Sequence, residues 1–202
     1  GVPSHQFDTP ERGFSTRFDG DLDMRMNQAS KLTAAKIINE YEEEKLADLF
    51  YYYGDLKTSR RMAREILAER ANGPIQTIEQ LKGIFQYIPK NIENKFFAQV
   101  FQALRIEVND EMAALREMLL QTAEVLKPGG KLVVISYHSL EDRLVKRFMK
   151  NGMFEGEPER DVFGNWEAPF KPSQSKVIVP TDAEIKENPR ARSAKMRIAI
   201  KN

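Results

Sequence analysis

Hydrophobic positions in the first half of the chain recur at intervals of three and four residues, the spacing of one helical face. Between residues 31 and 105 this pattern predicts four helices separated by turn residues. Thr33 is the expected N-cap of the first, which should run to Gly54;. Thr77 and Gln80 form an expected capping box at the third;. This part of the chain is therefore predicted to be a compact all-helical block.

The pattern changes after this block. Residues 109–130 predict a long amphipathic helix ended by a Pro-Gly-Gly turn, and "KLVVIS" at 131–136 predicts a strand covered on both faces;. A second helix is expected to begin at Ser139, with Asp142 completing its capping box;. "SKVIVP" and "AKMRIAIKN" read as further strands. A strand followed by a returning helix favours a right-handed crossover in a mainly parallel sheet.

Composition narrows the function classes only slightly. The 202 residues are 41% hydrophobic and 30% charged, which allows a sizeable core and argues against global disorder;. Lys plus Arg number 31 and Asp plus Glu 30, so total charge does not indicate a nucleic-acid partner;. The absence of cysteine excludes disulfides and thiolate metal sites and fits a reducing cytoplasm;. No apolar run is long enough for a membrane helix, and no signal peptide is visible, so no membrane partner is expected.

The chain opens without methionine, in a segment that reads as a loop. We therefore expect a fragment or a processed product. Two or three strands form a poor sheet, and their unpaired edges favour self-association, so we expect homo-oligomer formation.

Four segments then match one family in order. They are "GVPSHQFDTPERGFSTRFDGDLDMRMN", "FQALRIEVNDE", "LKPGGKLVVISYHSLEDRLVKRF" and "ENPRARSAKMRIA". The chain resembles the bacterial S-adenosylmethionine-dependent methyltransferases that modify cytosine N4 in small-subunit ribosomal RNA.

The resemblance implies an α/β fold, namely a partial class I (Rossmann-like) methyltransferase sheet with an inserted all-helical domain. Residues 1–27 would be a catalytic-domain loop region, residues 28–105 the helical insertion for RNA recognition, and residues 106–202 the C-terminal half of the catalytic domain. The family's glycine-rich cofactor loop has no counterpart here, because no G-x-G-x-x-G is present;. The main S-adenosylmethionine pocket is therefore expected to be missing, and this chain alone is expected to be inactive.

The resemblance implies that Gln6 contacts the cofactor; the alternative is that its side chain bonds only to loop backbone. Ser4 and His5 lie beside it, where the target base would approach, and are candidate catalytic residues. His138 follows the carboxyl end of a predicted strand, the usual ligand edge of an α/β sheet. It either bonds the extruded cytosine or organises the start of the next helix. Two histidines without paired acidic residues do not indicate a metal site.

Basic residues fall into groups that suit phosphate contacts, although solvated surfaces are the ordinary alternative. The candidate RNA-binding residues are Arg12, Arg25, Arg143, Lys146, Arg147, Arg190 and Arg192. Asn-Pro at 188–189 is expected to fix a turn that presents the last two together. Tyr51, Tyr52, Tyr53, Phe96 and Phe97 either stack on bases or belong to the core.

The expected partner is small-subunit ribosomal RNA or the assembling subunit, in the cytoplasm. The alternative function is a non-enzymatic RNA-binding or ribosome-assembly module.

Overall fold

The computed structural model describes residues 12–15 and 19–202. The chain divides into two compact units, one within residues 2–111 and one within residues 112–202. We call them the helical unit and the sheet unit. In the described part of the chain, no helix is both long and apolar enough to cross a membrane.

The described part of the helical unit contains five complete helices. They are α1 (Ala34–Glu40), α2 (Glu43–Gly54), α3 (Ser59–Arg70), α4 (Ile78–Ile84) and α5 (Lys90–Val108). The Thr33 side chain caps α1, and Thr77 with Gln80 forms a complete capping box on α4, so both capping predictions are confirmed;.

The first predicted helix is in fact two helices, because the chain turns extended at Tyr41. The guanidinium of Arg70 donates to the carbonyls of Ile38 and Tyr41, at 2.9 and 2.8 Å. The Tyr41 hydroxyl donates to Glu107 Oε1 at 2.7 Å. These partners lie far along the chain, so the local hydrophobic pattern could not reveal the break.

Aromatic side chains fill much of the helical core. Phe85 contacts Phe96 with ring centroids 5.4 Å apart, and Phe96 contacts Phe97 at 5.2 Å. Phe96 and Phe97 are buried and belong to this core, which removes them as base-stacking candidates. Tyr51 and Tyr52 remain exposed.

The sheet unit begins in α6 (Glu111–Val125), and residues 126–130 connect this helix to the first strand of a small sheet. Its further elements are β1 (Lys131–Ser136), α7 (Ser139–Asn151), β2 (Phe170–Pro172), α8 (Asp182–Glu187), a 3₁₀ helix (Pro189–Ser193) and β3 (Lys195–Lys201). The strand order is β1-β3-β2. Ser136 pairs with Lys195 and Lys131 with Ile200, whereas Phe170 pairs with Lys201.

The expectation of a mainly parallel sheet is wrong for the described strands, because both pairings are antiparallel. β1 and β2 run in the same direction, but β3 lies between them and pairs with each. The predicted strand "SKVIVP" is also wrong, since only Ile178 forms an isolated bridge, with Met196. The returning strand is instead the three residues of β2, which are too few to produce a recognisable alternation.

One face of the sheet packs on its helices. Leu132, Phe148, Phe170 and Ala199 are buried together in the core of this unit. On the other face, Val133 is 51% and Ile135 54% exposed. The expectation that β1 is covered on both faces is therefore wrong among the described residues of this unit.

Candidate functional site

The turn from β1 into α7 forms the candidate ligand edge of the sheet unit. Ser136 is buried at the end of β1, Tyr137 is exposed, and the His138 side chain is only 9% exposed. Because Ser136 pairs with Lys195, this edge also contains the beginning of β3. The location that was predicted for His138, just past the carboxyl end of a strand, is confirmed.

His138 caps α7, in place of the expected Ser139. The Glu141 N–H donates to His138 Nδ1 at 3.4 Å, and Glu141 Oε2 accepts from the N–H groups of Tyr137 and His138 at 2.9 and 3.4 Å. These contacts form a capping box between His138 and Glu141;. The predicted box between Ser139 and Asp142 is wrong, because the helix begins at Ser139, one residue earlier than a Ser139 cap requires.

The capping box controls the ionisation of Glu141. Burial alone would raise the pKa of Glu141, but the His138 ring, 3.4 Å away, and the Tyr137 N–H lower it from 4.5 to about 2;. A carboxyl with a lowered pKa stabilises the fold when it is ionised. The stabilisation by Glu141 is therefore complete above pH 4.5 and is lost as the pH falls towards about 2.

We expect a carboxyl ¹³C NMR titration to show Glu141 ionising near pH 2. The His138→Ala variant should raise this pKa towards its ordinary value, because it removes the ring that favours the charged form. Ser139→Ala is the matched control, since Ser139 is exposed and should leave the titration unchanged. Ordinary titration of Glu141 in the unaltered chain would contradict this account.

The second ring nitrogen of His138, Nε2, has a charged neighbour but no aligned hydrogen bond. Nε2 lies 3.4 Å from Glu141 Oε1, but the contact lacks hydrogen-bond alignment. Among the described residues, this buried atom forms no hydrogen bond. A buried polar atom of this kind normally finds a hydrogen-bond partner.

Asp142 ties the start of α7 to β3. Its carboxylate accepts from Arg197 Nε and Nη2 at 2.6 and 3.0 Å, and Lys195 Nζ lies 3.7 Å away. Both members of the bidentate pair are largely buried. Burial alone would raise the pKa of Asp142, but Arg197 and then Lys195 hold it below its usual 3.8;. This ion pair positions the helix that carries His138.

Two of the predicted RNA-binding arginines use their side chains within their own loop. Arg12 Nη2 donates to the carbonyls of Arg25 and Met26. Arg25 forms a bidentate pair with Asp23, and its Nη1 donates to the carbonyls of Gln28 and Ser30. These bonds support a structural role, and RNA binding by Arg12 and Arg25 stays a prediction.

The other five predicted RNA-binding residues lie in the sheet unit. Arg143 and Lys146 are exposed on α7, whereas Arg147 is half-buried and donates to the Gly156 carbonyl. Arg190 and Arg192 are exposed on the 3₁₀ helix, which begins at Pro189.

Sequence reasoning missed a pocket of about 860 Å³ in the sheet unit. Its lining includes Lys146, Lys150, Trp166, Lys171, Lys176 and Arg197. Only Lys146 belonged to the predicted set. The others come from separate elements, and the one signal in the sequence was the presence of aromatic and basic residues in an irregular segment.

The predicted residues Ser4, His5 and Gln6 lie outside the described residues. Their roles therefore stay predictions.

Comparison with known proteins decides the family. The MraW methylase family matches residues 1–202. The chain belongs to this family.

Individual members of the MraW methylase family agree with this match across the whole chain. The chain is 59% identical over 202 residues to "Ribosomal RNA small subunit methyltransferase H" of Flavobacterium johnsoniae, covering 67% of that protein. It is 60% identical to the protein of the same name from Parabacteroides distasonis and 58% identical to that from Christiangramia forsetii, again over 202 residues. It covers 66% and 67% of these two proteins. The family resemblance seen in the sequence is confirmed.

MraW methylases are class I methyltransferases that depend on S-adenosylmethionine, and the mixture of helices and sheet agrees with this class. The pocket of the sheet unit does not fit this cofactor. The sulfonium of S-adenosylmethionine is cationic, whereas the pocket described above is lined by lysines and by no carboxylate;.

Proposed function

We propose that this chain belongs to an enzyme that methylates the N4 amine of a cytidine in small-subunit ribosomal RNA, with S-adenosylmethionine as donor. The observation that carries the proposal is the match of all 202 residues to one methyltransferase family. The names of its relatives, which specify the small ribosomal subunit, support the choice of substrate. The proposed place of action is the cytoplasm, on the RNA or the assembling subunit.

We further assign residues 28–105 to a helical insertion that recognises RNA, and residues 1–27 and 106–202 to the catalytic domain. The helical character of α1 to α5 supports the first assignment, and the strands of the sheet unit support the assignment of residues 106–202. A cytidine within folded RNA must leave its stack before an enzyme can reach it, which gives a recognition domain a purpose.

The chemistry needs accurate positioning more than a strong base. The cytosine amine is a weak nucleophile because its lone pair is delocalised into the ring, and correct placement of two reactants lowers a barrier substantially. We assign His138 a hydrogen bond to the extruded base, which its buried Nε2 supports. Ser4 and His5 remain proposed contacts to the base, and Gln6 a proposed contact to the cofactor.

A methyl-transfer assay tests the function. We expect the product of the complete reading frame to transfer labelled methyl groups to small-subunit RNA at a cytidine N4. The 202-residue chain alone should show no transfer and no tight binding of S-adenosylmethionine by calorimetry, because the pocket of its sheet unit does not fit the cofactor and no G-x-G-x-x-G is present;. Methylation of another RNA, or of another atom, would contradict the proposal.

Variants of His138 separate its two roles in the same assay. Asparagine is a good N-cap but lacks the imidazole, so His138→Asn should keep α7 capped and still slow methyl transfer. Full activity in His138→Asn, with a defect only in His138→Ala, would show that His138 serves the helix alone.

A further inference from the structure

A basic pocket in the sheet unit lies apart from the candidate ligand edge. We call it the lysine pocket and define it by Lys146, Lys150, Trp166, Lys171 and Lys176. β2 forms one wall of the pocket and pairs with the C-terminal end of β3. The same end of β3 pairs with the beginning of β1, whereas His138 follows the end of β1. Along α7, Lys146 and Lys150 lie about 12 and 18 Å from His138, at 1.5 Å per residue.

The charged residues of the lysine pocket are all positive. Its four lysines are exposed, and no acidic residue lies along its lining. Within residues 12–15 and 19–202, none of the four forms an ion pair, whereas Arg197 on the same wall is paired with Asp142. Four uncompensated positive charges around one concave surface favour an anionic ligand with several charges.

Trp166 gives the lysine pocket a flat apolar surface. The indole Nε1 donates to the Lys150 carbonyl at 3.0 Å, and the Arg160 guanidinium lies over the ring at 4.7 Å from its centroid. These contacts hold the half-buried ring in one orientation. A fixed aromatic ring among lysines is the arrangement by which proteins bind single-stranded nucleic acid, with bases stacked and phosphates neutralised.

Polar side chains complete the wall. Asn165, Gln174, Ser175 and Asn202 line the pocket. Asn202 is held in place, because its side chain donates to the Ala168 carbonyl at 2.7 Å. Amide and hydroxyl groups can bond the edges of an unpaired base. An acidic peptide would use the lysines but would gain less from the tryptophan and the amides.

We propose that the lysine pocket binds a single-stranded segment of RNA that flanks the target cytidine, with one base against Trp166 and phosphates on the lysines. This inference rests on the proposed function for the identity of the RNA. The lysine pocket would then be a second RNA-recognition site, in addition to the helices of residues 28–105.

Salt-dependent binding tests the lysine pocket. The probe is a fluorescein-labelled, 12-nucleotide single-stranded RNA, titrated with the 202-residue chain at several KCl concentrations. Each neutralised phosphate contributes about 0.7 to the slope of log affinity against log salt for a single strand. Replacing all four lysines with glutamine should therefore reduce the slope by about 2 to 3. Lys186→Gln, an exposed lysine on α8 outside the pocket, should reduce it little or not at all.

The single tryptophan of the chain provides a direct reading of the pocket. RNA binding should quench its fluorescence. Trp166→Ala should weaken binding by about fivefold to a hundredfold, the range for loss of one stacked base, whereas Trp166→Phe should retain most of the affinity. Circular dichroism of each variant confirms that it is folded.

Several outcomes would overturn the inference. They are an absence of RNA binding, an unchanged salt slope in the quadruple glutamine variant, or binding without tryptophan quenching. Equal affinity for a polyglutamate peptide would assign the pocket to acidic peptides. Measuring methyl transfer by the product of the complete reading frame distinguishes failure of the lysine-pocket proposal from failure of the proposed function. If transfer is normal but the lysine variants bind RNA unchanged, only the lysine pocket is refuted; if the pocket binds RNA but no methyl is transferred, only the proposed function is refuted.

Discussion

Asp142→Ala should destabilise the sheet unit by about 3 kcal/mol, because it leaves the Arg197 guanidinium largely buried without a counter-charge. The Asp142 and Arg197 side chains are only 11% and 15% exposed. Removing one partner of a buried ion pair lowers the unfolding free energy strongly, because the remaining charge stays desolvated. Replacing both partners with apolar residues has a much smaller effect. Urea unfolding followed by the fluorescence of Trp166, which lies in the sheet unit, measures the change in unfolding free energy;.

Two further variants identify the cause. Glu155→Gln removes the same kind of partner from Arg116, but Glu155 is 79% exposed, so its stability should change little;. Replacing Asp142 with leucine and Arg197 with methionine together should recover most of the loss, because no unpaired charge remains. An Asp142→Ala variant as stable as Glu155→Gln would refute the role of the buried pair.

The effect of Asp142→Ala should also depend on pH. Because the pKa of Asp142 is lowered in the folded chain, its stabilisation is complete above 3.8 and is lost as the pH falls through the folded pKa;. The difference in stability between the unaltered chain and Asp142→Ala should therefore be constant near neutral pH and should shrink in acid.

Asn109→Ala should destabilise the helical unit by about 2 to 3 kcal/mol, because it leaves an N–H and a carbonyl of the polar loop without their partner. Asn109 Oδ1 accepts from the Met26 N–H at 2.7 Å, and its Nδ2 donates to the Met24 and Arg105 carbonyls at 2.8 and 2.9 Å. Met24 is fully buried and has a positive φ of 60°, so this loop needs outside support to keep its conformation;.

Hydrogen exchange and urea unfolding, followed by circular dichroism, measure the effect of Asn109→Ala. The Met26 amide should lose its protection most strongly, since its acceptor is removed. Asn27→Ala is the matched control in the same loop, because Asn27 is exposed and its side chain makes one local bond, from the Ala29 N–H at 3.0 Å. Equal losses in the two variants would mean that Asn109 is not the support of the loop.

The helical unit was largely predictable because its information is local. A helix closes its hydrogen bonds within one turn, so apolar spacing and caps such as Thr33 and Thr77 are visible in short stretches of sequence. The break at Tyr41 was not predictable, because the bonds that satisfy it come from Arg70 and Glu107. Asn109 was missed for the same reason, since its loop partners lie more than 80 residues away.

The candidate site also has a part that local sequence predicts and a part that it does not. The order of residues from β1 into α7 was enough to place His138 at a ligand edge, because the carboxyl end of a strand is such an edge in many α/β folds. The partner of Asp142 could not be read, since Arg197 lies 55 residues away and approaches only when β3 pairs with β1. Without knowledge of this partner, Asp142 was predicted to form a capping box with Ser139.

By itself, the sequence determined the family, the helical block, and the strand and helix that carry His138, because those depend on residue order and on periodicity within single elements. Only the tertiary structure decided the antiparallel pairing of the strands, the ion pair of Asp142 with Arg197, and the gathering of four lysines around Trp166. Strand pairing and charge proximity depend on distances between segments, and one chain contains no local signal for distances that only folding establishes.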